Sequence, residues 1–199
     1  MQFHKKVKEN EALNQYWYSK QTVDSMLSEL FLLAQSSDHP LRVAFLSTPS
    51  LYFCLESAWK QYCNSSGAVM PVHPVLFDFD QSLGLSIPHN FYRYDFRKPD
   101  TLPDDMLKSF DCVVIDPPFI TEEVWRSYAT TSELLLSEKS KLFIGTSVLE
   151  NAALLQALFQ ANPTPFQPSI PTLVYQYTLF ANFTPKGPLS LRNLEIPDN

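Results

Sequence analysis

The chain has 199 residues and a mass of 22.8 kDa, enough for one α/β domain with its own core and too little for two of full size. A hydrophobic fraction of 45% against 18% charged residues excludes the low-apolar, high-charge composition of disordered chains. With 15 basic and 21 acidic side chains the formal charge is -6, which disfavours a purely electrostatic nucleic-acid binder and leaves room only for a local basic patch.

In chain order, Gln21 to Ala34 carries Val23, Leu27, Leu30 and Phe31 at three- and four-residue steps, which predicts a helix stopped by His39-Pro40. Arg42 to Ser47 is an apolar run of strand length. Thr48-Pro49-Ser50 then reads as an N-cap and a first-turn proline, opening a second helix to about Tyr62. Asn64 to Val72 is expected to be a turn region, Pro74 to Asp80 a strand, and Phe91 to Asp95 a short alternating segment. Cys112 to Asp116 is the strongest strand signal. It runs into Pro117-Pro118-Phe119, after which Thr121-Glu122-Glu123 caps a helix to about Ser137. Lys141 to Gly145 predicts a strand and Leu149 to Ala161 a helix. Beyond the proline-rich Pro163 to Pro171, Leu173 to Phe183 predicts one or two closing strands. Strands alternating with helices in this way imply a mostly parallel sheet covered on both faces, in a single α/β domain.

The three cysteines, Cys54, Cys63 and Cys112, form no Cys-x-x-Cys pair and cannot close an even disulfide set. They read as small apolar fillers in a reducing compartment, not as a zinc ribbon or a stapled secreted scaffold. His4, His39, His73 and His89 lack the spacing of a metal site, so none is expected. The opening MQFHKKVKENE has no apolar core of a signal peptide, and no apolar run approaches the ~20 residues that cross a bilayer. A soluble, cytoplasmic protein without a membrane partner is expected.

In an open parallel sheet, ligands bind beyond the carboxyl ends of the strands. The predicted strands end at Ser47-Thr48-Pro49, at Asp78-Phe79-Asp80, at Asp95 and at Asp116, all on one edge. Carboxylates there can accept hydrogen bonds from ribose hydroxyls and an adenine amine, the polar inventory of a nucleoside-containing cofactor. Asp is also an ordinary turn residue, and Asp95 taken alone supports either reading. No glycine-rich loop follows the first strand, which disfavours a dinucleotide pyrophosphate and favours a phosphate-free cofactor such as S-adenosylmethionine. In Asp116-Pro117-Pro118-Phe119, two prolines fix φ and remove donors, so the carboxylate and the main-chain carbonyls can face a pocket as acceptors for an amino group.

Asp116-Pro117-Pro118-Phe119 resembles the (Asp/Asn)-Pro-Pro-(Tyr/Phe) motif of methyltransferases that act on amino groups, including the exocyclic amine of adenine. Most of the chain is similar to the elongation factor 1-alpha lysine methyltransferases, first described as adenine methyltransferase-like proteins. The similarity runs through Asn14 to Ser19 with Thr22, Val43 to Tyr52, Leu76 to Asp80, Phe91 to Asp95 with Pro99, Phe110 to Phe119, and Phe166 with Pro168, Asn182 and Phe183. It implies a Rossmann-like class I methyltransferase fold, with a mostly parallel seven-strand sheet and an antiparallel closing strand, binding S-adenosylmethionine. It further implies that residues 1–20 are an extension in which Gln15, Trp17 and Tyr18 close over the methionine part of the cofactor. Ser47, Thr48 and Pro49 take the place of the glycine loop. Asp80, or alternatively Asp78, binds the ribose, and Asp95 lies near the adenine. Asp116, Pro117 and Phe119 hold the incoming amine.

The chain departs from that pattern at Thr48, where relatives more often carry Ala, and at Ser169-Ile170-Pro171 and Tyr175-Gln176-Tyr177, which replace basic residues and an Asn-Glu-Phe triplet. The second departure bears on the protein substrate. Without the resemblance, Tyr16, Trp17 and Tyr18 read as an aromatic plug at a sheet edge. The implied activity is methylation of a lysine on elongation factor 1-alpha or a similar basic protein, whose charge would suit an acidic enzyme. An adenine-amine methyltransferase acting on RNA or DNA and a non-catalytic scaffold are the competing readings; zinc modules typical of RNA-acting relatives have no counterpart here.

Overall fold

In a computed structural model, the described residues are 9–63 and 68–197. The first eight residues, with His4, and the first part of the expected turn (64–67) fall outside them. Eleven helices and strands follow one another: α1 (Lys20–Gln35), β1 (Leu41–Leu46), α2 (Pro49–Tyr62), β2 (Val72–Asp78), β3 (Phe91–Arg93), β4 (Cys112–Ile115), α3 (Glu122–Leu135), β5 (Leu142–Ser147), α4 (Ala152–Phe159), β6 (Asn162–Pro163) and β7 (Thr178–Ala181). The strands form one sheet in the order β3-β2-β1-β4-β5-β7-β6. β1 to β5 are mutually parallel, and β7 runs antiparallel to β5 and β6. This is the Rossmann-like class I methyltransferase arrangement, with the antiparallel closing strand that the resemblance implied.

The burial pattern explains the layering. β4 is inaccessible along its length, as a strand covered on both faces must be. Alternate side chains separate the two cores. Val43, Phe45, Cys112 and Val114 pack against α1 and α2, whereas Ala44, Leu46, Val113 and Ile115 pack against α3 and α4. Each core is rich in rings: Phe31 meets Trp59 edge-on with centroids 5.0 Å apart, and Phe143 stacks on Phe159 at 4.2 Å.

Side chains cap α1 and α3, the second as its sequence predicts. Ser19 Oγ accepts from the N–H of Thr22 to cap α1, and Thr121 Oγ1 accepts from Val124 to cap α3, whose first turn carries Glu122 and Glu123. Thr48 holds the N-cap position of α2, but its hydroxyl does not cap; it turns toward the carbonyl of Val114 at 3.4 Å. Several boundaries also differ: β2 starts at Val72 and ends at Asp78, not Asp80, β3 ends at Arg93, not Asp95, and β5 runs on to Ser147. The segment 149–161 begins as a 3-10 turn (Leu149–Asn151) before α4, and of Leu173 to Phe183 only Thr178–Ala181 is strand. The second closing strand is instead the two-residue β6 at the head of the proline-rich stretch, where Pro163 is tolerated because the strand is at the edge. Among the described residues no helix is long and apolar enough to cross a membrane, and no group of three His, Cys, Asp or Glu could hold a metal ion.

Candidate active site

Parallel pairing delivers Ser47, Asp78, Asp95 and Asp116 to the carboxyl edge of the sheet: Leu46 lies opposite both Phe77 and Ile115, and Asp78 opposite Arg93. Ser47 takes the left-handed conformation there, with φ 56°, so a serine makes the turn for which glycine is usually required. Its N–H donates to the carbonyl of Phe77 at 2.8 Å, and its hydroxyl lies 2.6 Å from that of Tyr128 on α3. Tyr128 is fully buried, and burial pushes its phenol well above the ordinary range. Ser47→Ala should keep the strained turn and orphan this phenol, costing about 1–3 kcal/mol. Ser47→Gly loses the same bond but relieves about 1 kcal/mol of backbone strain. Urea unfolding should therefore rank glycine above alanine at this position, the reverse of the order in a helix; equal losses would show the turn to be unstrained.

The stretch between Glu9 and Ser19 crosses this edge as a strap. A 3-10 turn at Glu11–Leu13 ends in a left-handed Asn14, whose side-chain amide donates to the carbonyl of Pro118. The Gln15 side chain hydrogen-bonds Asp78. The Trp17 N–H donates to Glu9 Oε1 at 2.9 Å, and the same oxygen accepts from Thr172 Oγ1 at 3.0 Å, fixing the strap to the segment before β7. Tyr18 is 1% exposed; its hydroxyl lies 2.6 Å from Thr146 Oγ1 on β5, and burial beside Asp116 pushes its phenol well above the ordinary range.

The four acids differ sharply. The Asp116 N–H donates to Leu46, while burial pushes its carboxyl up from 3.8 to about 7, against the opposing pull of the Tyr18 hydrogen bond. Asp78 is 5% exposed, and burial raises it to about 6 despite the N–H of Asp80 at 2.9 Å and the Gln15 side chain. Asp80 is more open and spends Oδ1 on the N–H and hydroxyl of Ser82, capping the 3-10 turn Gln81–Ser86. Asp95 forms a two-pronged pair with Arg97, both contacts at 2.8 Å, which holds its carboxyl below the usual range. The guanidinium groups of Arg93 and Arg97 lie 5.2 and 5.6 Å from the centre of the Phe79 ring.

Pro117 is buried, whereas Phe119 is 53% exposed with its ring edge-on to Phe96 at 6.4 Å. Phe96 in turn stacks on Tyr128 at 6.3 Å. Thus the structure brings Gln15 to Asp78 and Tyr18 to Asp116, while Asp80 and Asp95 are engaged by their own loops. Asn14, Glu9, Tyr128 and Thr146 escaped the sequence reading. The spacing of Val124, Trp125, Tyr128, Thr131, Ser132 and Leu135 marks Tyr128 as core-facing, but its hydroxyl partner is a product of the fold.

The comparisons with known proteins agree with this architecture. Residues 9–185 match the family described as "Probable N6-adenine methyltransferase". The chain is 35% identical over 144 residues to EEF1A lysine methyltransferase 1 of Danio rerio, covering 72% of this chain and 81% of that one. It is 29% identical over 182 residues to a protein-lysine N-methyltransferase of Caenorhabditis elegans, covering 89% and 80%. Similar in fold are a branched-chain polyamine synthase from Thermus thermophilus, solved with N4-aminopropylspermidine and 5'-methylthioadenosine (TM-score 0.60, 11% identity, 89% of this chain and 59% of that one), and a type I restriction-modification methyltransferase subunit from Streptococcus thermophilus (TM-score 0.52, 11% identity, 83% and 44%). The match over residues 9–185 makes this chain a member of that methyltransferase family, an enzyme whose matched curated relatives are named protein-lysine N-methyltransferases.

Proposed function

We propose that this protein transfers the methyl group of S-adenosylmethionine to a lysine side chain of elongation factor 1-alpha. The observation that carries the reading is the Asp116 carboxyl, held beneath the strap at the carboxyl end of β4 with Phe119 open beside it. The names of the curated relatives supply the substrate.

The residues present fit the cofactor. Asp78 is a buried carboxylate with an acceptor site left once the N–H groups of Asp80 and Phe79 and the Gln15 side chain are counted, matching a ribose hydroxyl. Its burial makes it a better candidate than Asp80, whose Oδ1 is committed to Ser82. Asp95 gives Oδ1 to the Arg97 N–H and Nε, keeps a lone pair on Oδ2 beyond the one given to Arg97 Nη2, and is assigned to the adenine side. The turn at Ser47, Thr48 and Pro49 lacks the glycines that let a backbone close on a pyrophosphate, in keeping with a cofactor that has none. Trp17 and Gln15 cover the methionine end.

When bound, the cofactor supplies an electrophilic methyl group on a sulfonium. Asp116 accepts N–H bonds from the entering amine and aims its lone pair, while Pro117 and Phe119 exclude water around it. A lysine with a free pKa near 10.4 must first lose a proton, at about 4.6 kcal/mol at pH 7. An apolar wall at Phe119 lowers that cost by disfavouring the ammonium.

The protein incubated with tritiated S-adenosylmethionine and elongation factor 1-alpha should place label on a lysine, as read by mass spectrometry of the digested factor. Label that disappears with nuclease treatment would assign the chain to adenine amines instead. No heat of cofactor binding in calorimetry would make it a scaffold. In the same calorimeter, Asp78→Ala should weaken cofactor binding roughly tenfold or more, about 1.4 kcal/mol, whereas Asp80→Ala should change it less.

A further inference from the structure

The strap reaches two acids of the site with different side chains, and Gln15 stands on the Asp78 side. Tyr18 reaches past it. Asp116 follows β4 by one residue, and since Ile115 pairs with Gly145, its neighbour across the sheet is Thr146. The Tyr18 hydroxyl stands over this pair, 2.6 Å from Thr146 Oγ1 and near enough to Asp116 to pull its carboxyl down, and neither Tyr18 nor Thr146 meets solvent appreciably.

The donors can be ordered in one way that serves every group. A carboxylate has only lone pairs to offer, so Tyr18 gives its single proton to Asp116; the phenol oxygen then accepts, and Thr146 gives its proton to Tyr18. A chain of this kind, whose Tyr18 and Thr146 members are closed to water, polarises along its length and fixes the orientation of its last member. We propose that Tyr18 is a positioning residue of the acceptor site: its hydroxyl, fixed by Thr146, donates to Asp116 and so sets the carboxylate that receives the methyl-accepting amine. The strap is thereby part of the acceptor site as well as a cover for the cofactor. This inference rests on the reading of Asp116 given above.

Around Asp116 stand three phenols, Tyr18 from the strap, Tyr128 from α3 and Tyr177 from the segment before β7. Of these, Tyr18 is the one that pulls the carboxyl down against its burial. Removing that donor disfavours the ionised form, so the acid limb of the pH–rate profile must move to higher pH.

The test is Tyr18→Phe, which keeps the ring and deletes the hydroxyl. At pH 7 kcat should fall by roughly tenfold to a hundredfold, with the cofactor Kd within about twofold of wild type, and the acid limb should shift upward. Thr146→Val, which removes only the group that fixes the phenol, should shift the limb in the same direction by less. Wild-type kcat with an unmoved limb, or a loss confined to cofactor affinity, would overturn the assignment. Carbon-13 NMR titration of the Asp116 carboxyl in the wild type and in Tyr18→Phe gives a readout free of catalysis. There the midpoint should rise on loss of the hydroxyl, and an unchanged midpoint would sink the proposal. A wild type that titrates as expected but methylates no lysine would defeat the reading of function and leave the Tyr18 contact standing.

Discussion

Asp116→Asn is expected to lower methyl transfer at least a hundredfold and, at neutral pH, to make the protein harder to unfold. The carboxyl is raised from 3.8 to about 7 by burial, so between those values the folded state holds a proton that the unfolded chain has released. Stability therefore falls as pH rises through that window, and the charge is most costly above it. Three pKa units correspond to an upper bound of about 4 kcal/mol; Asp116 keeps some contact with solvent, so about 1–3 kcal/mol is expected. For a domain of this size that is roughly 2–4 °C in Tm per kcal/mol. Asparagine keeps the volume and removes the charge. The difference in Tm between variant and wild type should accordingly be small near pH 4, grow toward pH 7 and level off above it. Scanning calorimetry across that range checks the sign, and a variant that is less stable at pH 8 than wild type would refute it. Asp78, raised to about 6 by the same cause, acts in the same sense over a narrower window.

The second large effect lies far from the chemistry, at Glu29. This carboxylate is 1% exposed on α1, and it accepts from the N–H groups of Lys186 at 2.7 Å, Gly187 at 2.9 Å and Leu189 at 3.2 Å, gathering the C-terminal segment onto the helix. Gly187 lies so close that a Cβ there would sit 2.3 Å from Leu32 Cδ1 and 2.8 Å from Glu29 Oε2. Charge-assisted bonds to buried main-chain donors are among the stronger polar contacts, and deleting their common acceptor leaves every donor unpaired. Glu29→Ala should cost about 3–5 kcal/mol. Glu29→Gln should cost nearly as much, because its amide presents N–H groups to N–H groups. Urea denaturation measures both; a loss under about 1 kcal/mol for Glu29→Ala would mean that water satisfies the segment equally well.

Much of this architecture could be read from the chain itself, for identifiable reasons. β1 and β4 are short runs of apolar residues between turn formers, and α1 and α2 keep helical spacing up to an obvious stop, so their bounds fall within a residue or two of the expected ones. β6 was illegible because two residues, one of them proline, carry no periodicity, and its existence depends on pairing with β7. The distinction between Asp78 and Asp80 was illegible for another reason. Both stand at the same strand end, and only the 3-10 turn that follows, capped by Asp80, decides which carboxyl remains inside. Likewise, aromatic character alone gave Tyr18 as a plug, and the family resemblance made it a cofactor cover. Its partners, Asp116 and Thr146, are 98 and 128 residues away in the chain, and strand order brings them together.

The sheet ends at both sides in very little strand: three residues at β3 and two at β6. Pro163 occupies half of the latter border and has no amide hydrogen to offer a neighbour. A long, flat border would invite another molecule to dock its backbone alongside and begin a fibre. Here the ladder closes off within the length of a single turn, which leaves a second chain little border on which to extend it.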